Sequence, residues 1–280
     1  MTTRTAALLA LIASLAAEPA GPQSASNAID LRSFAADVKQ AGTDLEDWQP
    51  AFQKAVEAAR RRGRPLHVPA GEYKIRKAIE ILPFDRPAGT PDRRGLRIFG
   101  DGQGHSVIVQ QVDTENAIDW TGLEYEHPAR HGHLSYLAVH GGTVGLNLKW
   151  HNYFTLDSCY VRGAGKYGLY TEGWSSRIRN STIRWCMAAG IRGGTHFNNN
   201  IVRDCYFSRN GVGFQMTGGY GNRIEGCGFE VCAKAAVFLR GANSFTINNC
   251  YFEGNGYKTS RHFPVEGDAH TVHLDYACKK

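Results

Sequence analysis

Leu156-Asp157-Ser158-Cys159-Tyr160-Val161 is a phrase that the chain repeats about every 23 residues. In each copy an apolar residue is followed two positions later by a small polar residue. Cys or another small residue comes next, and after one more position an aromatic or aliphatic residue. The further copies are residues 178–183, 202–207, 224–229 and 247–252, with a looser copy at 134–139. A fixed period of this length indicates a solenoid.

The repeated segments have the pattern of short strands. They alternate apolar and polar residues between Gly, Asn and Ser, without the periodicity of a helix. A second phrase, Gly145-Leu-Asn-Leu148, recurs at residues 168–171, 190–193, 213–216 and 236–239. Three short strands in about 23 residues make one coil of a parallel β-helix, and successive coils pair at roughly 4.8 Å. The sequence therefore predicts a single-stranded all-β solenoid of about eight to nine coils of about 23 residues.

Cysteine recurs at one position of the repeat, which the coil places inside the solenoid. This inward column contains Cys159, Cys205, Cys227 and Cys250, together with Leu137 and Ser181. Because buried thiols behave as small hydrophobic groups, most of the seven cysteines are expected to be free. The position before the column suits a tight, left-handed bend. It is occupied by Ser158, Asn180, Asp204, Gly226 and Asn249.

The two ends of the chain differ from the repeat. Residues 1–28 contain one Arg, an apolar stretch of about a dozen residues and a Pro- and Ser-containing tract, which predicts a signal peptide or, alternatively, a disordered leader. A signal peptide predicts a secreted or periplasmic protein. Residues 29–280 are then the β-helix domain, which is either unusually short or truncated, because Lys280 follows closely on a last strand-like phrase.

Residues 47–62 are the one convincing helix, with Trp48, Phe52, Val56 and Ala59 at helical spacing. Its expected role is to cap the open apolar end of the solenoid. Residues 122–133 and 256–270 interrupt the period. Insertions in a repeat mark loops on one face, often the binding face.

The net charge is +6 and the isoelectric point is about 8.9. This balance fits either a solvated basic surface or attraction of a polyanion. No nucleic-acid motif is present, and no other apolar stretch is long enough to span a membrane. The sequence leaves the oligomeric state open.

The repeat resembles the right-handed parallel β-helix proteins of the pectate-lyase-like superfamily, in which an Asn bend between two strands of a coil is typical. The N-terminal segment is similar to that of the rhamnogalacturonase/pectate-lyase-3 group. The similar positions are Asp30-Leu31, Phe34-Ala35-Ala36, Gly42-Thr43-Asp44 and Leu66-His-Val-Pro-Ala-Gly-Glu-Tyr73. Ala35 departs from the usual Gly. The resemblance covers about residues 29–275 and implies right-handed coils, with substrate lying along the strand that carries the Gly-Leu-x-Leu phrase.

Alternation along that strand places two columns of side chains on its outer face. The first column is Asp119, Asn147, Tyr170, Arg192, Gln215, Phe238 and His273. The second column is Lys149, Glu172, Gly194, Thr217, Arg240 and Asp275. The aromatic residues suit sugar rings, and an Arg can grip a carboxylate through two parallel bonds. We therefore expect a groove for an acidic polysaccharide on this face.

Two reactions compete as interpretations of this groove. A lyase acting on uronates needs a cation to neutralise the carboxylate and a base for the adjacent proton, roles that fit Tyr170 with Arg192 or His273 with Arg240. A hydrolase needs two carboxylates roughly 5 to 9.5 Å apart. Glu172 has no acidic neighbour one coil away, and Asp275 has partners only in the insertion, at Glu266 or Asp268.

The catalytic candidates are Tyr170, Glu172, Arg192, His273 and Asp275, and the substrate-binding candidates are Asn147, Lys149, Gln215, Phe238 and Arg240. The polygalacturonase signatures and the Trp-Ile-Asp-His phrase of calcium-dependent pectate lyases are absent. No cofactor is predicted, and no motif supports a divalent cation such as calcium. The sequence favours a secreted enzyme that degrades a uronate-containing polysaccharide, with a lyase ahead of a glycoside hydrolase. The alternative is a non-catalytic carbohydrate-binding or structural β-helix.

Overall fold

The computed structural model describes residues 27–40, 46–83, 95–256 and 270–275. Within the last segment it describes the backbone and the exposure of Val272, but no other side chain. The predicted signal or leader, up to residue 26, and the insertion at 257–269 lie outside the described residues. Most strands belong to three parallel sheets, and the chain passes through them in turn.

The first sheet has nine strands. They are β1 (Ile29–Asp30), β4 (Leu66–Val68), β7 (Arg97–Gly100), β11 (His133–Ser135), β15 (Thr155–Asp157), β18 (Arg177–Arg179), β21 (Ile201–Arg203), β24 (Arg223–Glu225) and β27 (Thr246–Asn248). The second sheet has eight strands. They are β5 (Gly71–Ile75), β8 (Ser106–Gln110), β12 (Ala138–Gly141), β16 (Tyr160–Arg162), β19 (Thr182–Arg184), β22 (Tyr206–Ser208), β25 (Gly228–Glu230) and β28 (Tyr251–Glu253).

The third sheet also has eight strands and carries the predicted groove. They are β6 (Ile79–Glu80), β9 (Ile118–Asp119), β13 (Val144–Lys149), β17 (Tyr167–Trp174), β20 (Ala189–Asn198), β23 (Val212–Thr217), β26 (Ala235–Arg240) and β29 (His270–Asp275). Two small sheets complete the fold: β2 (Lys39–Gln40) pairs antiparallel with β3 (Glu46–Asp47), and β10 (Ala129–Arg130) pairs parallel with β14 (His151–Asn152).

The regular part of the solenoid comprises about five turns, from β13 to β28. Val144, Tyr167, Ala189, Val212 and Ala235 are successive register partners, so each turn takes about 22 or 23 residues. Upstream, Ile79 pairs with Ile118 and Ile118 with Leu146, which are much longer steps. The expectation of eight to nine coils of about 23 residues is therefore not matched. Insertions lengthen the N-terminal turns, although their strands join the same sheets.

Identical positions stack inside the solenoid, as the repeat predicts. On the third sheet the inward residues are Leu146, Leu169, Ile191, Phe214 and Val237, all fully buried. In the cysteine column Cys159, Cys205 and Cys227 are buried, with Cys205 only 2% exposed, whereas Cys250 in the last regular turn is partly exposed. The six cysteines of the described residues are free, and burial raises the pKa of the Cys159 thiol to about 12. The predicted bend residues all have φ between 49° and 61°.

One end of the solenoid is covered by helix α1 (Gln49–Arg62), which packs against β1, β4 and β6. Phe52, Val56 and Ala59 on its inner face belong to the main hydrophobic core. The helix starts two residues later than predicted because Asp47 lies in β3 and its carboxylate accepts a hydrogen bond from Gln49 N. A 3-10 helix (Leu31–Asp37) precedes it. Neither helix of the described residues has the length and apolarity needed to cross a membrane.

Candidate functional site

The first predicted column runs across the outer face of the third sheet. Asp119, Asn147, Tyr170, Arg192, Gln215, Phe238 and His273 are register partners from one strand to the next. The inward residues that alternate with the first six of them are buried, so these six face out of the solenoid. We call this surface the groove face.

The second column is interrupted by a bulge between β17 and β20. Thr171 pairs with Gly193, whereas Gly173 pairs with Phe197. One residue of β17 therefore lies opposite three residues of β20, and the predicted alignment of Glu172 with Gly194 is lost. Lys149 still pairs with Glu172, and Thr217 with Arg240 and then Asp275. A strict repeat period cannot anticipate two extra residues in one strand, and such bulges re-aim side chains beside functional sites.

Glu172 is the residue that this bulge displaces most. It is only 9% exposed, although alternation predicts an outward side chain. Its carboxylate and Cγ occupy the space that a Cβ atom would need at Gly194. The absence of a side chain at position 194 thus lets Glu172 fold down onto the sheet.

Tyr170, Glu172 and Arg192, three of the predicted catalytic residues, interact with one another at the centre of the groove face. Burial, followed by hydrogen bonding to Glu172 and the charge of Glu172, raises the pKa of the Tyr170 hydroxyl to about 12, and the Arg192 charge opposes the rise. The ring of Tyr170 also stacks on that of Tyr167, with centroids 6.1 Å apart. At neutral pH this phenol is protonated, which suits a proton donor better than a base.

Two polar atoms beside Tyr170 are buried without a hydrogen-bond partner among the described residues. They are Nη1 of Arg192, on the next strand, and Oδ1 of Asn147, on the preceding strand. Buried polar atoms are normally satisfied, and an exception calls for an explanation. A polar molecule bound over Tyr170 can accept a hydrogen bond from Arg192 Nη1 and donate one to Asn147 Oδ1.

The remaining predicted binding residues surround this centre. Gln215 is half-buried, and Phe238 packs against a small apolar cluster that includes Val212 and Ala235. Lys149 and Arg240 are exposed.

His273 and Asp275 occupy the expected register positions next to Phe238 and Arg240, but their side chains are outside the described part of the structure. Glu266 and Asp268, the predicted partners of Asp275, also lie outside the described residues.

Sequence reasoning missed an acidic pair at the N-terminal end of the groove face. Glu80 of β6 is the register partner of Asp119 of β9, so the two carboxylates project from neighbouring strands. Asp119 Oδ1 accepts hydrogen bonds from Asn116 Nδ2 and Asn147 Nδ2, both at 2.8 Å. Glu80 lies in a strand of two residues before the regular period begins, and only its place before Asp119 in the sheet identifies it.

A group of aromatic side chains at the carboxyl ends of β13, β17 and β20 was missed as well. It consists of Tyr125, Trp150, Trp174 and His196: the ring of Tyr125 neighbours the other three, and Trp150 also neighbours His196. The insertion at residues 122–133 was the available signal, because it supplies Tyr125. Elsewhere, the described residues hold no group of three or more His, Cys, Asp or Glu side chains suited to a metal ion.

Comparison with known proteins supports the architecture. A family model described as "Right handed beta helix region" matches residues 144–275, the part that contains the regular turns. No curated protein matches the chain in sequence. Among solved structures, ORF18 of Geobacillus virus E2 is 16% identical with a TM-score of 0.63, over 81% of this chain and 53% of that protein.

Two further structures show the same likeness. The catalytic unit of a GH87 alpha-1,3-glucanase from Streptomyces thermodiastaticus is 18% identical with a TM-score of 0.63, over 92% of this chain and 47% of that one. PfbA, a surface adhesin of Streptococcus pneumoniae, is 12% identical with a TM-score of 0.65, over 90% of this chain and 68% of that one. The chain spans about half the length of the viral protein and of the glucanase. At these identities the likeness establishes the fold, which is a right-handed parallel β-helix.

Proposed function

We propose that the groove face binds a uronate-containing polysaccharide and cleaves it by elimination. The observation that carries the proposal is the buried Nη1 of Arg192, which has no hydrogen-bond partner among the described residues, beside the protonated Tyr170 and the unpartnered Oδ1 of Asn147. A guanidinium binds a carboxylate through two parallel, charge-assisted bonds. A uronate carboxylate on Arg192 therefore satisfies the orphaned donor, and a sugar hydroxyl satisfies Asn147.

Elimination assigns a distinct role to each group. Arg192 neutralises the carboxylate and so makes the proton on the adjacent carbon easier to remove. A base takes that proton, the bond from the neighbouring carbon to the glycosidic oxygen breaks, and Tyr170 donates its proton to the departing oxygen. Glu172, next to Tyr170, is the candidate base at this site. The alternative pairing is His273 as the base with Arg240 as the cation, on neighbouring strands, because His273 lies three strands away from Arg192.

Hydrolysis is the second candidate, and the pair of Glu80 and Asp119 is the observation that favours it. Glu80 and Asp119 are register partners on neighbouring strands, which lie about 4.8 Å apart, close to the carboxyl separation of roughly 5–5.5 Å in retaining glycoside hydrolases. This pair lies at the other end of the groove face from Arg240. A non-catalytic binding β-helix is the further alternative, and it needs only the row of side chains.

Two of the structurally similar proteins act on carbohydrates, which supports a carbohydrate-directed role for this chain. The GH87 enzyme is an alpha-1,3-glucanase, and a second structure of a GH87 alpha-1,3-glucanase was determined in complex with tetrasaccharides. The acidic nature of the substrate and the kinship with pectate-lyase-like enzymes are parts of our proposal, as is secretion directed by residues 1–28. The chain's net charge of +6 supports attraction of an acidic polymer.

The test is a screen of the purified protein against acidic polysaccharides with two readouts on the same samples. Ultraviolet absorbance detects the unsaturated sugar that elimination produces, and a reducing-end assay detects any chain cleavage. We expect both signals to rise together and to disappear in Arg192→Ala. Reducing ends without absorbance would assign hydrolysis, and binding without either signal would assign the non-catalytic alternative. No binding to any acidic polysaccharide would overturn the proposal.

A further inference from the structure

The aromatic group at the carboxyl ends of the groove strands is assembled from four separate parts of the chain. Tyr125 comes from the insertion before β10, Trp150 follows β13, Trp174 ends β17, and His196 lies in β20. The centroid of the Tyr125 ring is 5.8 Å from Trp150, 5.5 Å from Trp174 and 4.7 Å from His196. Trp150 and His196 are 5.3 Å apart. We call these four residues the aromatic platform.

The aromatic platform is not part of the solenoid core. None of its four residues belongs to the hydrophobic clusters inside the coils. Tyr125 is 39% exposed, and the other three rings are partly exposed. Large aromatic surface that remains in contact with water, and that packing does not require, is typical of a recognition site.

The bulge in β20 links the platform to the groove face. The three residues of β20 that oppose Glu172 end with His196, so the same irregularity that folds Glu172 down brings His196 to Tyr125 and Trp150. Trp174 lies two positions after Glu172 on β17, and Trp150 directly follows Lys149. A polymer chain held at Tyr170 and Arg192 therefore meets the platform as its next contact along the strands.

The polar groups around the rings indicate which ligand fits. The Nζ atom of Lys149 lies 5.4 Å from the centroid of the Trp150 ring, and the imidazole of His196 contributes two ring nitrogens. A pyranose ring has an apolar face of C–H groups and a rim of hydroxyls. Rings with an apolar surface and hydrogen-bonding groups at their edge match both parts.

We propose that the aromatic platform is a stacking subsite for one pyranose ring of the polysaccharide that lies in the groove. The inference rests on the proposed function, because it needs a glycan held on the groove face. The subsite binds through ring contact, so its contribution is insensitive to salt. The Arg192 contact depends on charge and weakens as salt is added.

The test uses Tyr125→Ala, because Tyr125 touches the other three rings yet lies in an exposed loop where truncation leaves the coils intact. Affinities for a short and a long oligosaccharide of the bound polymer are measured by titration calorimetry at low and high salt. We expect about a 3- to 10-fold loss for the long oligosaccharide, equal at both salt concentrations, and no loss for the short one. Melting temperatures check that each variant folds.

Tyr251→Ala is the matched control, since Tyr251 is 56% exposed but lies on the second sheet. We expect it to bind like the unmodified protein. An unchanged affinity in Tyr125→Ala, with a loss in Arg192→Ala, would overturn the platform and leave the groove. A loss in Tyr125→Ala alone would support the platform and overturn the uronate clamp. Equal losses in Tyr125→Ala and Tyr251→Ala, or no glycan binding at all, would overturn the subsite.

Discussion

Glu172 lies over Gly194, in the space that any side chain at position 194 would occupy. The two residues are on neighbouring strands, at the point where β20 has two residues more than β17. This arrangement buries a carboxylate on the groove face and holds it beside Tyr170. The glycine and the bulge together, rather than the repeat, set the geometry of the candidate site.

Replacing Gly194 with Ala should expel Glu172 from its position. We expect Gly194→Ala to lower the free energy of unfolding by about 1–3 kcal/mol, because the added Cβ overpacks the site. In a Glu172→Ala background the same substitution should cost clearly less, since the clashing side chain is gone. Denaturant unfolding of the four proteins measures this coupling. Gly104→Ala is the control, because a Cβ there meets nothing; additive costs at 172 and 194 would refute the contact.

Arg192 should contribute more to glycan affinity than an arginine elsewhere on the solenoid. We expect Arg192→Ala to weaken binding of an anionic oligosaccharide about 10- to 150-fold, the equivalent of about 1.5–3 kcal/mol. Arg192→Lys should recover little, because an ammonium lacks the planar fork.

The control for this comparison is Arg177→Ala, which changes the net charge equally. Arg177 is exposed on the first sheet, and its Nη1 donates to the backbone oxygen of Ser176. Arg179 is less suitable because it is paired with Asp157 at 2.9 Å, so its removal would also leave a carboxylate unpaired. Similar losses at positions 192 and 177, both abolished by salt, would indicate diffuse attraction and no clamp.

Tyr170 should act as a proton donor rather than as a base. Its pKa of about 12 keeps the hydroxyl protonated at all ordinary pH values, so a donor role persists as the pH rises toward that value. A base role would instead make the rate rise about tenfold per pH unit up to that pKa. We therefore expect no such rise in kcat between about pH 8 and 10, and a loss of about 10²- to 10⁴-fold in Tyr170→Phe. A rate that climbs with hydroxide and loses its slope in Tyr170→Phe would assign Tyr170 as the base.

The repeat contains enough information to predict the pairing of the regular turns, their inward columns and the order of the residues on the groove face, but not the number of coils, because the N-terminal turns are lengthened by insertions. Identical positions must stack when strands pair in register, so the place of Leu169 or Ile191 follows from period alone. Glu172 was predicted to be exposed because the alternation of inward and outward residues assumes a regular strand and cannot predict a bulge. Glu80 and the aromatic platform were missed because they depend on insertions, whose paths no local pattern determines.

The cysteine column offers a direct test of the interior register. Cys205 is 2% exposed and its thiol contacts the backbone oxygens of Ile178 and Arg203 at 3.6 and 3.3 Å. Cys205→Asp places an unpaired charge there, and we expect it to lower the free energy of unfolding by more than about 4 kcal/mol. Cys205→Ala should cost only about 1–2 kcal/mol. Thermal unfolding followed by circular dichroism measures both, and an unchanged melting temperature in Cys205→Asp would show that position 205 faces outward.

His151 should make the protein sensitive to acid. It is fully buried against Trp120 and Phe154. This burial lowers the pKa of His151 to about 3. The charge of His131 adds a smaller lowering, and the hydrogen bond to Asn152 opposes it. An unfolded chain binds a proton at this histidine below about pH 6.5, whereas the folded protein does so only near pH 3. Stability is therefore lost as the pH falls through this window, by about 2 kcal/mol at pH 5 from this group alone.

The variant His151→Leu should lose that part of the acid sensitivity. We expect the difference in free energy of unfolding between pH 7 and pH 5 to shrink by about 2 kcal/mol in denaturant titrations, whatever the variant's stability at pH 7. His133 and His140, whose pKa values burial also lowers, remain in both proteins, so their contributions cancel. The same titrations of His105→Leu, which replaces an exposed histidine, are the control. If His151→Leu keeps the full acid sensitivity, the imidazole is protonated in the folded protein and does not lie in the closed, apolar pocket described above.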